Sequence, residues 1–345
     1  MSALSTVKFK NPRARYNFQG RTCSITGVGS YVPAKILTNA DLEKMVDTSD
    51  EWITTRTGIK ERRMAAKDEF TSDMAMKAAQ RAMKMAGVTA EQIELIVVAT
   101  ITPDMPFPAT ACLVQQKIGA RRAAAFDLEA ACSGFIYGLE IGQQFITSRT
   151  YDTVLIIGAE KLSSIVDCTD RNTCVLFGDG AGAAVLQHRP NAHGLLTAVI
   201  GADGSKGNLI HMPGGGSRCP ATMDSVAAKL HYLQMDGRET FKNAVQAMCT
   251  AAKEALRRCE LDITKIKCVI PHQANRRIID AVGERLGVTP VQMFINLDRY
   301  GNTSAASVAI ALDEAVSSGK IQRGDLVLLI VFGAGLTWGA AVIEW

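Results

Sequence analysis

Uniformly apolar runs alternate along this chain with runs that have a helical period. Segments such as "LIVVA" from Leu95 and "VLLIVF" from Val327 contain no polar residue, as expected of strands covered on both faces. Segments such as "AAQRAMKMAG" from Ala78 repeat apolar residues three and four positions apart, which indicates amphipathic helices. The alternation predicts an α/β protein whose sheets are buried between layers of helix.

The most apolar stretch of the chain, residues 326–343, carries no charged side chain over a length that could span a membrane. It contains Gly333, Gly335 and Gly339 around Thr337. Because glycines of this kind suit a tight loop, we predict two buried strands joined by a glycine-rich turn, and no membrane span.

The chain resembles itself at an offset of 173 residues, since the helix and strand pattern from Ala78 aligns without a gap on the pattern from Ala251. The same offset places "DTVLII" from Asp152 on "DLVLLI" from Asp325. This duplication predicts two pseudo-symmetric halves, residues 22–194 and 195–345, each with its own sheet. Two such sheets would enclose a central pair of helices, which gives a duplicated five-layer αβαβα sandwich.

One of the predicted central helices has a stripe of glycines on a single face. Gly134, Gly138 and Gly142 are four residues apart, and each costs about 1 kcal/mol relative to alanine inside a helix. Another layer must therefore approach this face closely. The offset places small residues on the matching face in the second half, namely Ser307, Ala311 and Ala315.

Composition restricts the class of protein. The chain has 345 residues, of which 47% are hydrophobic and 21% charged, and its net charge of +4 forms no concentrated basic stripe that would suit nucleic acid. Nine cysteines without a C-x-x-C pair, and without a secretory signal, predict free thiols in the cytoplasm and no metal site. Residues 1–21 form a basic N-terminal extension, for which an organelle transit peptide is the alternative interpretation.

Cys132 stands where the predicted strand "AAFDL" leads into the glycine-striped helix. Backbone N–H groups and the helix dipole favour a thiolate at such a position, so we expect a lowered thiol pKa and a nucleophilic role. A buried structural cysteine is the alternative, although none of the other eight cysteines has so clear a position.

Two polar residues occupy comparable positions in the second half. His272 ends the strand that begins with "IKCVI", and the carboxyl ends of strands are where α/β folds place their chemistry. Asn302 lies in the loop that enters the second small-residue helix, which the repeat makes the symmetry mate of the Cys132 entrance. We therefore expect Cys132, His272 and Asn302 to converge.

Five motifs together resemble the β-ketoacyl-acyl-carrier-protein synthase III family: "EAACSGFIYGL", "PHQANRRI", "GNTSAAS", "FGDGAGAAVL" and "TSDEWITTRTGIKERR". The resemblance runs from about residue 22 to the end of the chain. It implies a thiolase-like fold, a homodimer, no cofactor, and condensation of acetyl-CoA or another short acyl-CoA with malonyl-acyl carrier protein. Cys132 would be the nucleophile, and His272 and Asn302 would donate hydrogen bonds to the enolate oxygen.

The resemblance also separates related condensing enzymes. Thiolases of the superfamily use a second cysteine in the C-terminal glycine loop, and "FGAGLTWG" has none. Elongating synthases use two histidines, whereas Asn302 takes the place of the second one here. Hydroxymethylglutaryl-CoA synthase would need a catalytic glutamate, for which no clear candidate exists. Chalcone-synthase-like enzymes share the Cys-His-Asn set and are not excluded by it. The resemblance implies that the oxyanion would be bound by the Cys132 N–H and by an N–H group of the loop that contains Ala334, beside Phe332. Ala334 and Leu336 depart from the family pattern, which often has glycine and an aromatic residue there.

Further site residues follow from the resemblance alone. Trp52, Arg56 and Arg171 match residues that hold the adenine end of coenzyme A, and Phe107 matches one that closes the acyl pocket across a dimer interface. A bulky residue at that position implies a short primer. The residues that correspond to the family's carrier-protein docking site are Lys242, Gln273, Ala274, Asn275, Arg276 and Arg277, with Glu284 as a departure from the usual basic pattern.

Two other functions remain open at this stage. One is a specialised condensing or acyl-transferring relative in polyketide or signal synthesis, with another primer or acceptor. The other is a degenerate dimer that binds acyl-CoA or carrier protein without turnover, against which the presence of Cys132, His272 and Asn302 argues.

Overall fold

A computed structural model describes residues 21–190 and 194–345. The strands of these residues are β1 (Ser24–Tyr31), β2 (Lys35–Thr38), β3 (Glu61–Met64), β4 (Leu95–Ala99), β5 (Ala124–Leu128), β6 (Thr153–Glu160), β7 (Gly180–Gln187), β8 (Leu195–Ala202), β9 (Ile210–His211), β10 (Gln234–Met235), β11 (Cys268–Pro271), β12 (Leu326–Gly333) and β13 (Thr337–Glu344). The helices are α1 (Asn39–Leu42), α2 (Asp50–Thr57), α3 (Thr71–Ala86), α4 (Thr110–Ile118), α5 (Gly134–Thr147), α6 (Met223–Ala227), α7 (Gly237–Arg258), α8 (Arg276–Leu286), α9 (Leu297–Tyr300) and α10 (Ala306–Ser317).

Two sheets of matching topology form the framework. The first has the order β1-β7-β6-β4-β5, and the second has the order β8-β13-β12-β11. In both sheets a parallel pair, β4 with β6 or β11 with β12, is followed by two antiparallel strands. Strand order and direction thus repeat between the halves, and the predicted duplication is confirmed.

The sheets and helices stack in five layers, as predicted. Helices α3 and α4 cover the outer face of the first sheet, and α7, with α8 beside it, covers the outer face of the second. Helices α5 and α10 lie between the sheets, because each contacts strands of both. Burial on both faces explains why strands such as β4 and β6 are apolar along most of their length.

The glycine stripe of α5 packs against the first sheet. A Cβ at Gly142 would lie 2.6 Å from Leu186 Cδ1, and one at Gly138 would lie 2.7 Å from Ile156 Cγ2. The sheet has a matching glycine of its own, since a Cβ at Gly158 would overlap the carbonyl oxygen of Ala305 at the entrance of α10. Small residues therefore let both central helices approach one sheet closely, as the sequence predicted.

The apolar stretch 326–343 forms the antiparallel hairpin of β12 and β13, as predicted, with Gly333 paired to Thr337. Across residues 21–190 and 194–345, no helix combines the length and apolar character that a membrane crossing requires.

The predicted boundary between residues 194 and 195 falls between the last strand of the first sheet, which ends at Gln187, and the first strand of the second, which begins at Leu195. The division into two domains stays a prediction. Residues 1–20 of the predicted basic extension lie outside the described residues. Arg21, its last residue, forms an ion pair with Asp152.

Candidate active site

Cys132 lies in a short 3₁₀ turn, Ala131–Ser133, between the end of β5 and the start of α5. Ala131 has a φ of +45°, in the left-handed region that non-glycine residues rarely adopt. The end of β12 presses against this turn, since a Cβ at Gly333 would lie 2.7 Å from the Cys132 backbone nitrogen. The nucleophile predicted from sequence thus sits in a strained turn held between layers.

The second half repeats this strained turn. Ser304, which the offset of 173 residues aligns with Ala131, has a φ of +48° and precedes α10. Asn302 lies two residues before it and is held by the first half, where its backbone N–H donates to Leu176 O (2.8 Å) and its carbonyl accepts from Gly178 N (3.0 Å). Each helix entrance therefore contains one residue in the left-handed region, and the side chains around it differ.

One cavity of about 850 Å³ brings the three predicted residues together. Its lining includes Cys132, His272 and Asn302, as well as Phe332 and Ala334 from the end of β12 and the following loop. His272 directly follows β11, at the carboxyl end of that strand, as the sequence predicted. His272 follows Cys132 by 140 positions, and Asn302 follows His272 by 30, so the fold brings together residues that are far apart in the sequence.

The expected lowering of the Cys132 pKa is wrong. Burial raises the pKa of this thiol to about 12, and the nearby Glu160 adds to the rise, while a hydrogen bond with the Ser304 side chain opposes it. Part of the Cys132 surface still faces the cavity, so the thiol is accessible although protein surrounds it. The side chain is therefore a neutral thiol at pH 7, and its proton must leave as the sulfur attacks.

His272 is neutral and oriented by a serine. Its side chain is 4% exposed, and burial lowers its pKa to about 4. Nδ1 lies 2.7 Å from the Oγ of Ser307 on α10, and the backbone N–H donates to Ile330 O (2.7 Å). Because a serine hydroxyl can donate or accept, Ser307 can stabilise either neutral tautomer and leave Nε2 to act in the cavity.

The amide of Asn302 has a defined orientation. Its Oδ1 accepts a hydrogen bond from the backbone N–H of Ser304 (2.8 Å), so the carbonyl side of the amide is held by the turn. The Nδ2 group is then the part of the side chain that can donate into the cavity. Asn302 is 7% exposed, which agrees with a side chain that reaches solvent only through this cavity.

The loop after β12 is tied to the Cys132 turn by Thr337. Its hydroxyl lies 2.9 Å from the carbonyl oxygens of both Ala130 and Ala334, and 3.1 Å from Ser133 Oγ. These contacts hold the backbone of Ala334 beside Cys132, where the sequence predicted an oxyanion site. Leu336, the departure from the family pattern, is 2% exposed and packs in the core.

Sequence analysis assigned no role in the site to four polar residues that surround it: Glu160, Ser304, Ser307 and Thr337. Glu160 is fully buried, and burial raises the pKa of its carboxyl to about 7. A glutamate at the end of the apolar run "VLIIGAE", and the serines of "GNTSAAS", were visible in the sequence. Their partners were not, since each bonds to a residue far away in the chain.

A second cavity of about 520 Å³ leads from the surface toward the first. Its lining includes Trp52, Arg56 and Arg277, and it shares Phe241 and Asn275 with the inner cavity. The guanidinium of Arg56 lies 4.7 Å from the centre of the Trp52 ring. Arg171 lies 4.5 Å from the same ring, so the three predicted coenzyme A residues form one cluster.

The residues predicted to dock a carrier protein do not all reach the surface. Lys242, Arg276 and Arg277 are exposed near the outer cavity, and Arg276 pairs with Asp280 (2.8 Å). Asn275 caps helix α8, while Ala274 and Asn275 both line the inner cavity.

Gln273 is a correction to that prediction. It is 1% exposed, because its amide donates to the carbonyl oxygens of Pro271 (2.7 Å) and Phe294 (3.3 Å) and accepts from the Asn296 N–H (3.0 Å). A buried side chain that is fully engaged with backbone groups cannot contact a carrier protein.

Phe107 is 84% exposed, although Pro103 and Pro106 from the same loop line the cavity. The ring therefore faces solvent in the single chain. All nine cysteines are free thiols, and no group of three or more His, Cys, Asp or Glu side chains in the part of the chain that the structure describes could hold a metal ion.

Comparison with known proteins agrees with this geometry. Residues 126–204 match the family model of 3-oxoacyl-[acyl-carrier-protein (ACP)] synthase III, and residues 256–345 match the model of its C-terminal part. The β-ketoacyl-[acyl-carrier-protein] synthase III of Caldanaerobacter subterraneus is 58% identical over 93% of this chain and 97% of its own length.

Solved structures give the same result. The 3-oxoacyl-[acyl-carrier-protein] synthase III of Aquifex aeolicus is 49% identical, with a TM-score of 0.88 over 94% of this chain and 100% of the other. The priming β-ketosynthase of the R1128 polyketide biosynthetic pathway is 37% identical, with a TM-score of 0.86 over 94% of this chain and 96% of the other. With more than half of its residues identical to a relative over nearly the full length, this chain belongs to the β-ketoacyl-acyl-carrier-protein synthase III family.

Proposed function

We propose that this protein starts fatty acid synthesis by condensing acetyl-CoA, or another short acyl-CoA, with malonyl-acyl carrier protein. The products are acetoacetyl-acyl carrier protein, coenzyme A and carbon dioxide. The observation that supports this most directly is the convergence of Cys132, His272 and Asn302 on one cavity that continues to a basic entrance.

The first half-reaction forms an acyl-Cys132 intermediate. The sulfur attacks the thioester carbonyl, a new C–S bond forms, and the bond to the coenzyme A sulfur breaks. Because the Cys132 thiol is neutral, its proton has to move to the leaving sulfur, and the neutral ring of His272 can relay it. The N–H groups of Cys132 and Ala334 would stabilise the oxyanion of the tetrahedral intermediate.

The second half-reaction makes the carbon–carbon bond. Malonyl-acyl carrier protein loses carbon dioxide, and the resulting enolate attacks the carbonyl of the acyl group on Cys132. The bond between that carbonyl and the Cys132 sulfur breaks, and the sulfur takes a proton from solvent. Decarboxylation needs donors on the developing enolate oxygen and no base. The neutral imidazole of His272, with Ser307 donating to Nδ1, and the Nδ2 of Asn302 supply two such donors.

The entrance suits the phosphates and adenine of coenzyme A and an acidic carrier protein. An indole with two guanidinium groups, as in Trp52, Arg56 and Arg171, can hold a purine and neighbouring phosphates. Arg277 and Lys242 are exposed beside the opening, where positive charge would attract the carrier.

We also propose that the protein is a homodimer, that it acts in the cytoplasm, and that it needs no cofactor. The exposed ring of Phe107 supports a dimer, because a second subunit would cover it and place it at the neighbouring acyl pocket. A phenylalanine at the end of that pocket would limit the primer to a short acyl chain.

The test is the intact mass of the protein after mixing with acetyl-CoA, followed by addition of malonyl-acyl carrier protein. The wild type should gain one acetyl group that Cys132→Ser does not gain, and the malonyl carrier should discharge it into acetoacetyl carrier. An absence of any adduct with short or long acyl-CoA would refute the proposal and leave a binding protein.

A specialised priming synthase is the second candidate, because the R1128 priming β-ketosynthase is similar over almost the whole chain. An acyl adduct that forms on Cys132 but is not discharged by malonyl-acyl carrier protein of fatty acid synthesis would favour it.

A further inference from the structure

Glu160 connects the two halves of the protein next to the active site. It ends β6 and is fully buried, and its Oε2 accepts from Thr102 Oγ1 (2.6 Å), Thr100 Oγ1 (3.1 Å) and Ile101 N (3.1 Å). Its Oε1 accepts from Ser304 Oγ of the second half at 3.0 Å. The carboxyl thus joins three residues that follow β4 to the strained turn before α10.

This glutamate is not placed to act on the substrate. Its carboxyl is turned into the protein, where it accepts four hydrogen bonds, and its partners are hydroxyls and an N–H. Burial without a cation among these partners raises its pKa to about 7. Buried carboxyls with a perturbed pKa are concentrated at functional sites, which makes the position of Glu160 beside Cys132 a candidate for a functional role.

Ser304 is the link between Glu160 and the candidate catalytic residues. Its left-handed backbone, with φ of +48°, is unfavourable in a residue other than glycine and is therefore held by its surroundings. In this conformation its N–H points back to Asn302 Oδ1 (2.8 Å), which turns the Nδ2 of Asn302 toward the cavity. The hydrogen bond from the Ser304 hydroxyl to Glu160 anchors the turn from the other side.

We propose that Glu160 is a positioning residue that acts through Ser304 to hold the Asn302 amide in place for decarboxylation. The inference rests on the proposed function. It assigns Glu160 to one half-reaction, because acyl transfer uses Cys132 and its N–H donors, whereas decarboxylation needs the Asn302 donor. Loss of Glu160 should therefore slow the second half-reaction far more than the first.

The experiment measures the two half-reactions separately in Glu160→Ala, Glu160→Gln and Ser304→Ala. Acetylation by acetyl-CoA is followed by intact mass, and condensation is followed in a single turnover of pre-acetylated enzyme with saturating malonyl-acyl carrier protein. Glu160→Ala and Ser304→Ala should each slow condensation by about tenfold to 100-fold, because the donor is displaced rather than removed. Glu160→Ala should acetylate within about threefold of the wild type, whereas Ser304→Ala should slow both steps, because the Ser304 side chain also hydrogen-bonds the Cys132 thiol.

Glu160→Gln should restore condensation to within about threefold of the wild type, since its oxygen can accept from the threonines while its amide donates to Ser304 Oγ. Glu94→Ala is the matched control. Glu94 holds the opposite end of β6 by accepting from the N–H groups of Asp152 (2.6 Å) and Thr153 (3.0 Å). It should lower stability without separating the two half-reactions.

Equal slowing of acetylation and condensation in Glu160→Ala would overturn the proposal, and so would a normal Ser304→Ala variant. If Glu160→Ala does not fold, Glu160→Asp, whose shorter side chain withdraws the carboxyl from Ser304, replaces it in the same comparison. A wild type that is not acetylated would instead refute the proposed function, so the two failures are distinguishable.

Discussion

Gly333→Ala tests the geometry that holds Cys132, the proposed nucleophile. Gly333 ends β12, and a Cβ at this position would lie 2.7 Å from the Cys132 nitrogen and 3.1 Å from the Ser133 nitrogen. Both neighbours are backbone atoms of the strained turn, so no flexible side chain can move aside. The substitution must therefore either push the Cys132 turn away from β12 or place a methyl group over the Cys132 N–H.

The size of the effect follows from these distances. The new methyl group would lie about 0.7 Å closer to the Cys132 nitrogen than the 3.4 Å at which ordinary van der Waals contact begins. Overpacking of this kind costs about 1–3 kcal/mol of unfolding free energy. A displacement approaching 1 Å at a reacting group lowers a rate by about 100-fold, and loss of one oxyanion donor has a similar effect. We expect acetylation of Cys132 to slow by about 100-fold.

The assay compares the rate of acetyl transfer to Cys132, measured by intact mass, with the free energy of unfolding in urea. Gly142→Ala is the control, since its Cβ would meet Leu186 Cδ1 (2.6 Å) and Ile156 Cδ1 (3.1 Å), the ends of side chains that can move. Its helix gains about 1 kcal/mol from the change to alanine, which offsets part of the crowding. Acetylation of Gly333→Ala at the rate of the Gly142→Ala variant would refute the reasoning.

Three further predictions follow from the site. The folded pKa of His272, about 4, lies below its ordinary value of 6.5, so the unfolded state binds more protons between these values, and the contribution of His272 to stability should fall by ~3 kcal/mol as pH drops from about 6.5 through 4. Burial of Glu160, which raises its pKa to about 7, acts in the opposite direction over much of this range, so urea unfolding at several pH values should be compared between the wild type and His272→Gln, and the difference in unfolding free energy between them should decrease by this amount. Arg277→Glu should impair condensation with malonyl-acyl carrier protein more strongly than acetylation by acetyl-CoA, which it also slows because Arg277 lines the cavity assigned to coenzyme A, and equal loss of both rates would exclude a docking role. Phe107→Ala should admit longer acyl-CoA substrates, visible as heavier adducts on Cys132, and the same long adducts on the wild type would contradict the assignment of a short pocket.

Much of the fold could be predicted because the two halves of the sequence have similar patterns. The offset of 173 residues and the uniformly apolar strands require two similar halves with buried sheets, and this is the arrangement observed. Cys132, His272 and Asn302 could be selected for the same reason, since each lies where a predicted strand or loop meets the central layer.

Other features of the site and core could not be predicted, because they depend on which segments pack against each other in the folded protein. Gln273 looked like a neighbour of the exposed arginines Arg276 and Arg277, yet its amide turns inward to bond backbone groups of Pro271, Phe294 and Asn296. The glycine stripe predicted a close neighbour without identifying it, and the structure shows that the neighbour is the first sheet.

The sequence by itself determined the order of the elements, the duplication and the residue types at each helix entrance, because these depend on local periodicity and on similarity within the chain. The tertiary structure decided the protonation of the site. A helix entrance predicted an acidic thiol, but enclosure by protein raises the pKa of Cys132, lowers that of His272, and brings Glu160 to Ser304 across 144 residues. Desolvation and long-range hydrogen bonds depend on every segment that surrounds a group, so no local pattern in the chain specifies them.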